Sequence, residues 1–105
     1  DSVMSPIAQG VKRIIREFDP EAEVILYGSR ARGDAQPYWD WDFPVLLSHP
    51  IDSESERRLR REIYEIEWDH GEVICAILRT KEAWRTSVLR VLPFHESVEQ
   101  EGLSL

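Results

Sequence analysis

Residues 28–42 read Gly-Ser-Arg-Ala-Arg-Gly-Asp-Ala-Gln-Pro-Tyr-Trp-Asp-Trp-Asp, residue types that together can hold a polyphosphate and a divalent metal. Asp40 and Asp42 stand one residue apart at the mouth of an apolar run. Side chains alternate across a strand, so the two carboxylates share one face, ~6.6 Å apart along the chain. That spacing lets both reach one ion, or share a pair of ions ~3.5–4 Å apart. Acids crowded on an apolar strand repel each other, and a hard cation such as Mg²⁺ is the natural compensation. Gly28 and Ser29 follow a β-rich run, where a glycine-serine turn lets backbone N–H groups and a hydroxyl approach phosphate. The chemistry this implies is in-line attack on an α-phosphorus with pyrophosphate leaving. Taken singly, Gly28-Ser29 is no more than a turn capped by Ser29, and the aspartates no more than solvated strand-end residues. Their joint spacing favours the ligand-binding reading.

The elements that must position these groups follow from periodicity. Ile7, Val11, Ile14, Ile15 and Phe18 recur at helical spacing, predicting a helix from Ser5 to Phe18. Ser5 caps it, Pro6 suits its first position and Asp19-Pro20 ends it. Residues 23–27 read as an interior strand, apolar on both faces. Residues 29–33 form a helical turn, and 34–38 a loop. A second strand runs from Trp39 or Asp40 to Leu47. Pro44 within it implies a sheet edge or a distortion. Residues 52–68 read as an amphipathic helix, capped by Ser53 or Ser55, with Leu59, Ile63, Ile66, Tyr64 and Trp68 inward. A third strand spans 72–78. Thr80 caps a helix through Trp84 and Leu89, and a last helix after Pro93, with Phe94 and Val98 inward, ends at Gly102.

The bulk properties fit one domain over 1–105: 105 residues with 42% apolar content can enclose a single core. No apolar run is long enough for a bilayer, and no basic-then-apolar leader opens the chain. A single cysteine, Cys75, excludes an internal disulfide and suits a reducing cytoplasm. Cys75 itself reads as a small buried hydrophobe. The net charge of −7 argues against direct nucleic-acid binding, which is driven by phosphate neutralisation. Arg30 and Arg32 either steer a triphosphate or pair with the acidic surface; Arg57, Arg58, Arg60 and Arg61 read as the wet side of a helix. Trp41 reads as core and Trp39 is left open between core and base stacking. His49, His70 and His95 show no metal-ligand spacing.

Gly28-Ser29-Arg30-Ala31-Arg32-Gly33 followed by Asp40-Trp41-Asp42 resembles the minimal nucleotidyltransferases of the DNA-polymerase-β superfamily. The resemblance covers the first helix to at least Leu78. It implies an α/β (α+β) fold, a mixed sheet of about three to four strands with helices packed on it. It also implies phosphate binding by Gly28, Ser29, Arg30 and Arg32, metal binding and catalysis by Asp40 and Asp42, Mg²⁺ as cofactor, and ATP or another nucleoside triphosphate as substrate. The family carries a third carboxylate on the next strand. Cys75 stands in that place, a thiol is a poor Mg²⁺ ligand, and Glu72 is the only nearby acid that could substitute, though a regular strand sets it on the face opposite Cys75. Trp39 and Phe43-Pro44 also depart from the family pattern, which has a small residue before the first aspartate and two aliphatic residues after the second.

Small members of this family act as antitoxins beside a HEPN-domain protein. The resemblance therefore implies adenylyl transfer to a hydroxyl of such a partner, a ribonuclease toxin's tyrosine, with the acceptor held by that protein or by a second copy. The rival reading is a nucleotide-binding or protein-interaction module of the same fold, with catalysis weakened by the missing acid.

Overall fold

The computed structural model describes residues 5–33, 40–86 and 93–105. Helix α1 spans Pro6–Phe18, and Ser5 caps it by accepting a hydrogen bond from the Ala8 N–H at 3.3 Å. Strand β1 is Glu23–Leu26, and the short helix α2 is Ser29–Arg32. Strand β2, Trp41–Leu47, leads to helix α3, Ser53–His70, and strand β3, Ile74–Thr80. Helices α4, Lys81–Arg85, and α5, Pro93–Glu101, precede strand β4, Leu103–Ser104. Asp34 to Trp39 and the expected stretch to Leu89 lie outside the described residues; α4 itself ends at Arg85.

The sheet order is β3-β2-β1-β4, with β2 and β3 parallel and the other pairs antiparallel. The sheet is thus mixed and four-stranded, as the resemblance implies. The pairing of β4 beside β1 has no counterpart in the sequence reading. β1 is interior, and the reason is visible in its side chains. Val24 and Leu26 join Phe43, Val45 and Leu47 in the core under α1 and α3, while Ile25 and Leu46 pack with Trp84 and Val98 under α4 and α5. Helices therefore cover both faces. Gly10 of α1 permits close packing on α3, since a Cβ there would come 2.9 Å from Ile66 Cδ1.

Pro44 corrects the edge expectation: β2 is a central strand and Pro44 is fully buried. The distortion is real, however. β1 pairs with β2 at Glu23↔Leu46 and Val24↔Val45, and then only as an isolated bridge at Tyr27↔Asp42. The same register sets Pro44 opposite Ile25, where the proline has no N–H to give the ladder. The neighbouring parallel ladder is unbroken from Trp41↔Ile74 to Leu47↔Thr80.

Three further details differ from the sequence reading. Asp52, not Ser53 or Ser55, caps α3, accepting from the Ser55 N–H at 3.3 Å. Tyr64 and Trp68 point outward rather than into the core, and Cys75 is exposed rather than buried. Phe94 is partly exposed but meets Tyr27 and Trp84 edge-on. Thr80 caps α4 as expected, accepting from the Ala83 N–H at 3.0 Å. No described helix is long and apolar enough to cross a membrane.

Candidate functional site

β1 delivers the chain to Gly28, which adopts φ 84° and ψ −151° and opens α2. Its carbonyl accepts from the Ala31 and Arg32 N–H groups at 3.0 and 3.1 Å, closing one helical turn, and Gly33 ends that turn in the left-handed region. A glycine is required here twice over. The backbone angle disfavours any L side chain, and a Cβ at Gly28 would come 3.1 Å from Asp42 Oδ2. Gly28, not Ser29, is therefore the cap residue. Ser29 occupies the first helical position, and among the described residues its hydroxyl has no hydrogen-bond partner.

The bridge between Tyr27 and Asp42 joins this turn to β2, the Tyr27 N–H donating to the Asp42 carbonyl at 3.0 Å. Burial, and then the negative charge of Asp40, push the Asp42 carboxyl above its ordinary pKa. The two acids thus feel each other at the mouth of β2, Asp42 within the strand and Asp40 directly before its first residue. Cys75 lies in register with Asp42 on the neighbouring strand, so their side chains leave the sheet on the same face. Partial burial of the sulfur, followed by the charges of Asp42 and Asp40, raises the Cys75 thiol pKa and keeps it protonated. Gly28, Asp40, Asp42 and Cys75 therefore surround one place. Tyr27, which sequence reasoning passed over, borders it on the same face, its hydroxyl 2.6 Å from Ser97 Oγ of α5. Its only signal in the sequence was its position directly before Gly28.

Three expected site residues have other partners in the structure. Glu72, proposed as a substitute metal ligand, turns to the side of β2 that carries Trp41, opposite Asp42. Its Oε1 accepts from Trp41 Nε1 at 2.5 Å and from Arg30 Nη2 at 3.2 Å. The Trp41 ring, 4% exposed and stacked at 8° on Phe43, fixes that carboxylate by its indole N–H. Arg30 lies with its guanidinium 4.4 Å above the Trp41 ring, anchoring α2 to β2 by cation–π contact and ion pair. Arg32 is half-exposed and stands 3.9 Å from Glu101 of α5, a surface pairing. Among the described residues no three His, Cys, Asp or Glu side chains are grouped to hold a metal ion. The donor set is the Asp40–Asp42 pair, hard oxygens at a cradle that a Cβ on Gly28 would crowd, and that suits a Mg²⁺-sized cation completed by phosphate and water oxygens.

The chain is similar to a probable protein adenylyltransferase, MntA, of Haemophilus influenzae, 33% identical over 55 residues. That match covers 52% of this chain and 48% of the relative, so the chain spans about half the length of the curated relative it matches. It is also similar in fold to a toxin–antitoxin crystallised with AMP-PNP, with a TM-score of 0.62 at 18% identity. That likeness covers 91% of this chain and 69% of the other. Residues 8–101 match the nucleotidyltransferase domain family, and the chain belongs to that family.

Proposed function

We propose that this chain transfers an adenylyl group from ATP to a hydroxyl of a partner protein, as the antitoxin of a toxin–antitoxin pair with a HEPN-type toxin. The observation that carries the reading is the approach of the Gly28 backbone to an Asp42 carboxylate already coupled to Asp40. Family membership, the MntA relative and the fold shared with a toxin–antitoxin support it. Asp40 and Asp42 would hold Mg²⁺, which when bound supplies charge neutralisation of the phosphates. Ser29's hydroxyl and the backbone at Gly28-Ser29 orient the terminal phosphates. The acceptor oxygen forms a bond to the α-phosphorus as the bond to pyrophosphate breaks, and the acceptor's proton passes to solvent.

The test is incubation with α-labelled ATP, Mg²⁺ and the protein encoded beside this chain. Label on that protein, with pyrophosphate released, is the expected result. Absence of both nucleotide binding and label transfer overturns the proposal.

Cys75 favours a second reading, a nucleotide-binding module with slow chemistry, because it occupies the register position beside Asp42 where a third acid is expected from the family. Cys75→Asp is accordingly expected to raise the transfer rate, by about 10²-fold if the missing group is a general base. Single-turnover label transfer measures this. An unchanged rate removes the thiol as the reason for slow chemistry.

A further inference from the structure

Helix α3 faces the core through Leu59 and Ile63 and turns Tyr64 and Trp68 to solvent. Trp68 is 78% exposed and Tyr64 59%, their rings stacked with centroids 6.5 Å apart at 26°. A single exposed aromatic is unremarkable, but two held against each other on a helix present a preformed apolar contact surface. Glu65 and Asp69 complete a shallow depression of about 370 Å³ with the two rings. Among the described residues neither acid is in an ion pair.

Ring faces and carboxylates around one depression recognise a cationic side chain. The rings offer negative π-faces and the acids offer charge. Arginine matches best, since its planar guanidinium stacks on an indole while donating to a carboxylate. The position of the depression also matters. Arg60 and Glu67, on the same side of α3 as Tyr64, reach the outer edge of β3. Arg60 Nη1 donates to the Ala76 carbonyl at 3.1 Å, and Glu67 Oε2 accepts from the Ile74 N–H at 2.6 Å. Ile74 and Ala76 bracket Cys75, the register partner of Asp42. The aromatic face therefore runs beside the strand adjoining the one that carries Asp42.

We propose that the Tyr64–Trp68 face of α3 is a docking surface for a partner protein that seats an arginine between these rings and the carboxylates of Glu65 and Asp69. The inference rests on the proposed function in taking that partner to be the protein that presents the acceptor hydroxyl. Charge complementarity selects a basic partner surface over a second copy. A two-fold contact centred on the depression would set Glu65 and Asp69 against themselves on chains of net charge −7.

The experiment uses the full chain and two probes. In NMR titrations, acetyl-arginine amide is expected to shift the Trp68 indole and Tyr64 ring signals saturably, while its neutral isostere acetyl-citrulline amide does not. Glu65→Gln with Asp69→Asn should erase the arginine response. In calorimetry, Tyr64→Ala with Trp68→Ala should weaken binding of the protein encoded beside this chain by about tenfold or more, with nucleotide binding unchanged. Equal response to both probes, no binding of that protein to the wild-type chain, or unweakened binding by the double variant overturns the inference. So does a dimer in sedimentation that the double variant abolishes. Binding that depends on Trp68 without any label transfer would leave this inference standing while the proposed transfer fails.

Discussion

Asp42→Asn is expected to lower nucleotidyl transfer by about 10³-fold, roughly 4 kcal/mol of barrier, while leaving the fold as stable as before or slightly more so. The two halves of this result have one cause. In the absence of a cation, the Asp42 carboxylate is disfavoured by burial and by Asp40, so the fold holds its charge at a cost. Asparagine keeps the shape and removes that cost. It also removes one of the two carboxylates proposed to hold a cation, and with it half of their negative charge. Thermal unfolding with and without Mg²⁺ and ATP separates these effects. The wild-type midpoint should rise on addition, by mass action on the native state, and the variant's should not. A variant that unfolds several degrees earlier without ligand, or responds to Mg²⁺ and ATP as the wild type does, would show that Asp42 is a structural residue.

The contrast between Asp42 and Glu72 shows which parts of this molecule can be read from its sequence. The backbone angle at Gly28 and the mutual influence of Asp40 and Asp42 are legible because they are local: a positive φ at one residue, and two acids one residue apart at the mouth of β2. Helix α1 is legible for the same reason, its cap, its proline and its apolar spacing all lying within fourteen residues. Strand alternation already sets Glu72 on the face opposite Cys75, but its partner was not legible, because that is an indole N–H thirty-one residues away that is buried by tertiary packing. The parallel register that sets Cys75 beside Asp42 is likewise a property of the crossover through α3, which no short-range pattern encodes. Tyr64 and Trp68 were misplaced for a different reason. Periodicity counts them as apolar, yet Leu59, Ile63 and Ile66 already fill the arc of α3 that faces the core. What is left over on an amphipathic helix is then itself information, since a surface with no folding role to explain it points to a partner.

Asp19→Ala is expected to cost about 3 kcal/mol of folding stability and to lower the unfolding midpoint by roughly 15 °C at pH 7. Asp19 is 1% exposed and sits as the cap after α1. Its Oδ2 accepts from the Ser48 N–H at 2.7 Å, and its Oδ1 from the Ser48 hydroxyl at 2.8 Å and the Glu21 N–H at 3.1 Å. One carboxylate thus ties the end of α1 to the end of β2, and truncation takes a charged acceptor away from three donors at once. Burial alone would push this carboxyl up, but the bonds from Ser48 and Glu21, helped by the charge of His49, hold it below its ordinary value. Stability from a carboxyl lowered on folding is fully present above the unfolded-state pKa of about 3.9, and is lost as pH falls through the lower folded value. Wild-type stability should therefore drop steeply below about pH 4, and Asp19→Asn, weaker at pH 7, should drop less over the same range. Urea unfolding at a series of pH values measures both slopes. Parallel curves for wild type and Asp19→Asn would mean that the charge of Asp19 contributes nothing, and that its neutral hydrogen bonds alone join α1 to the strand bearing the site.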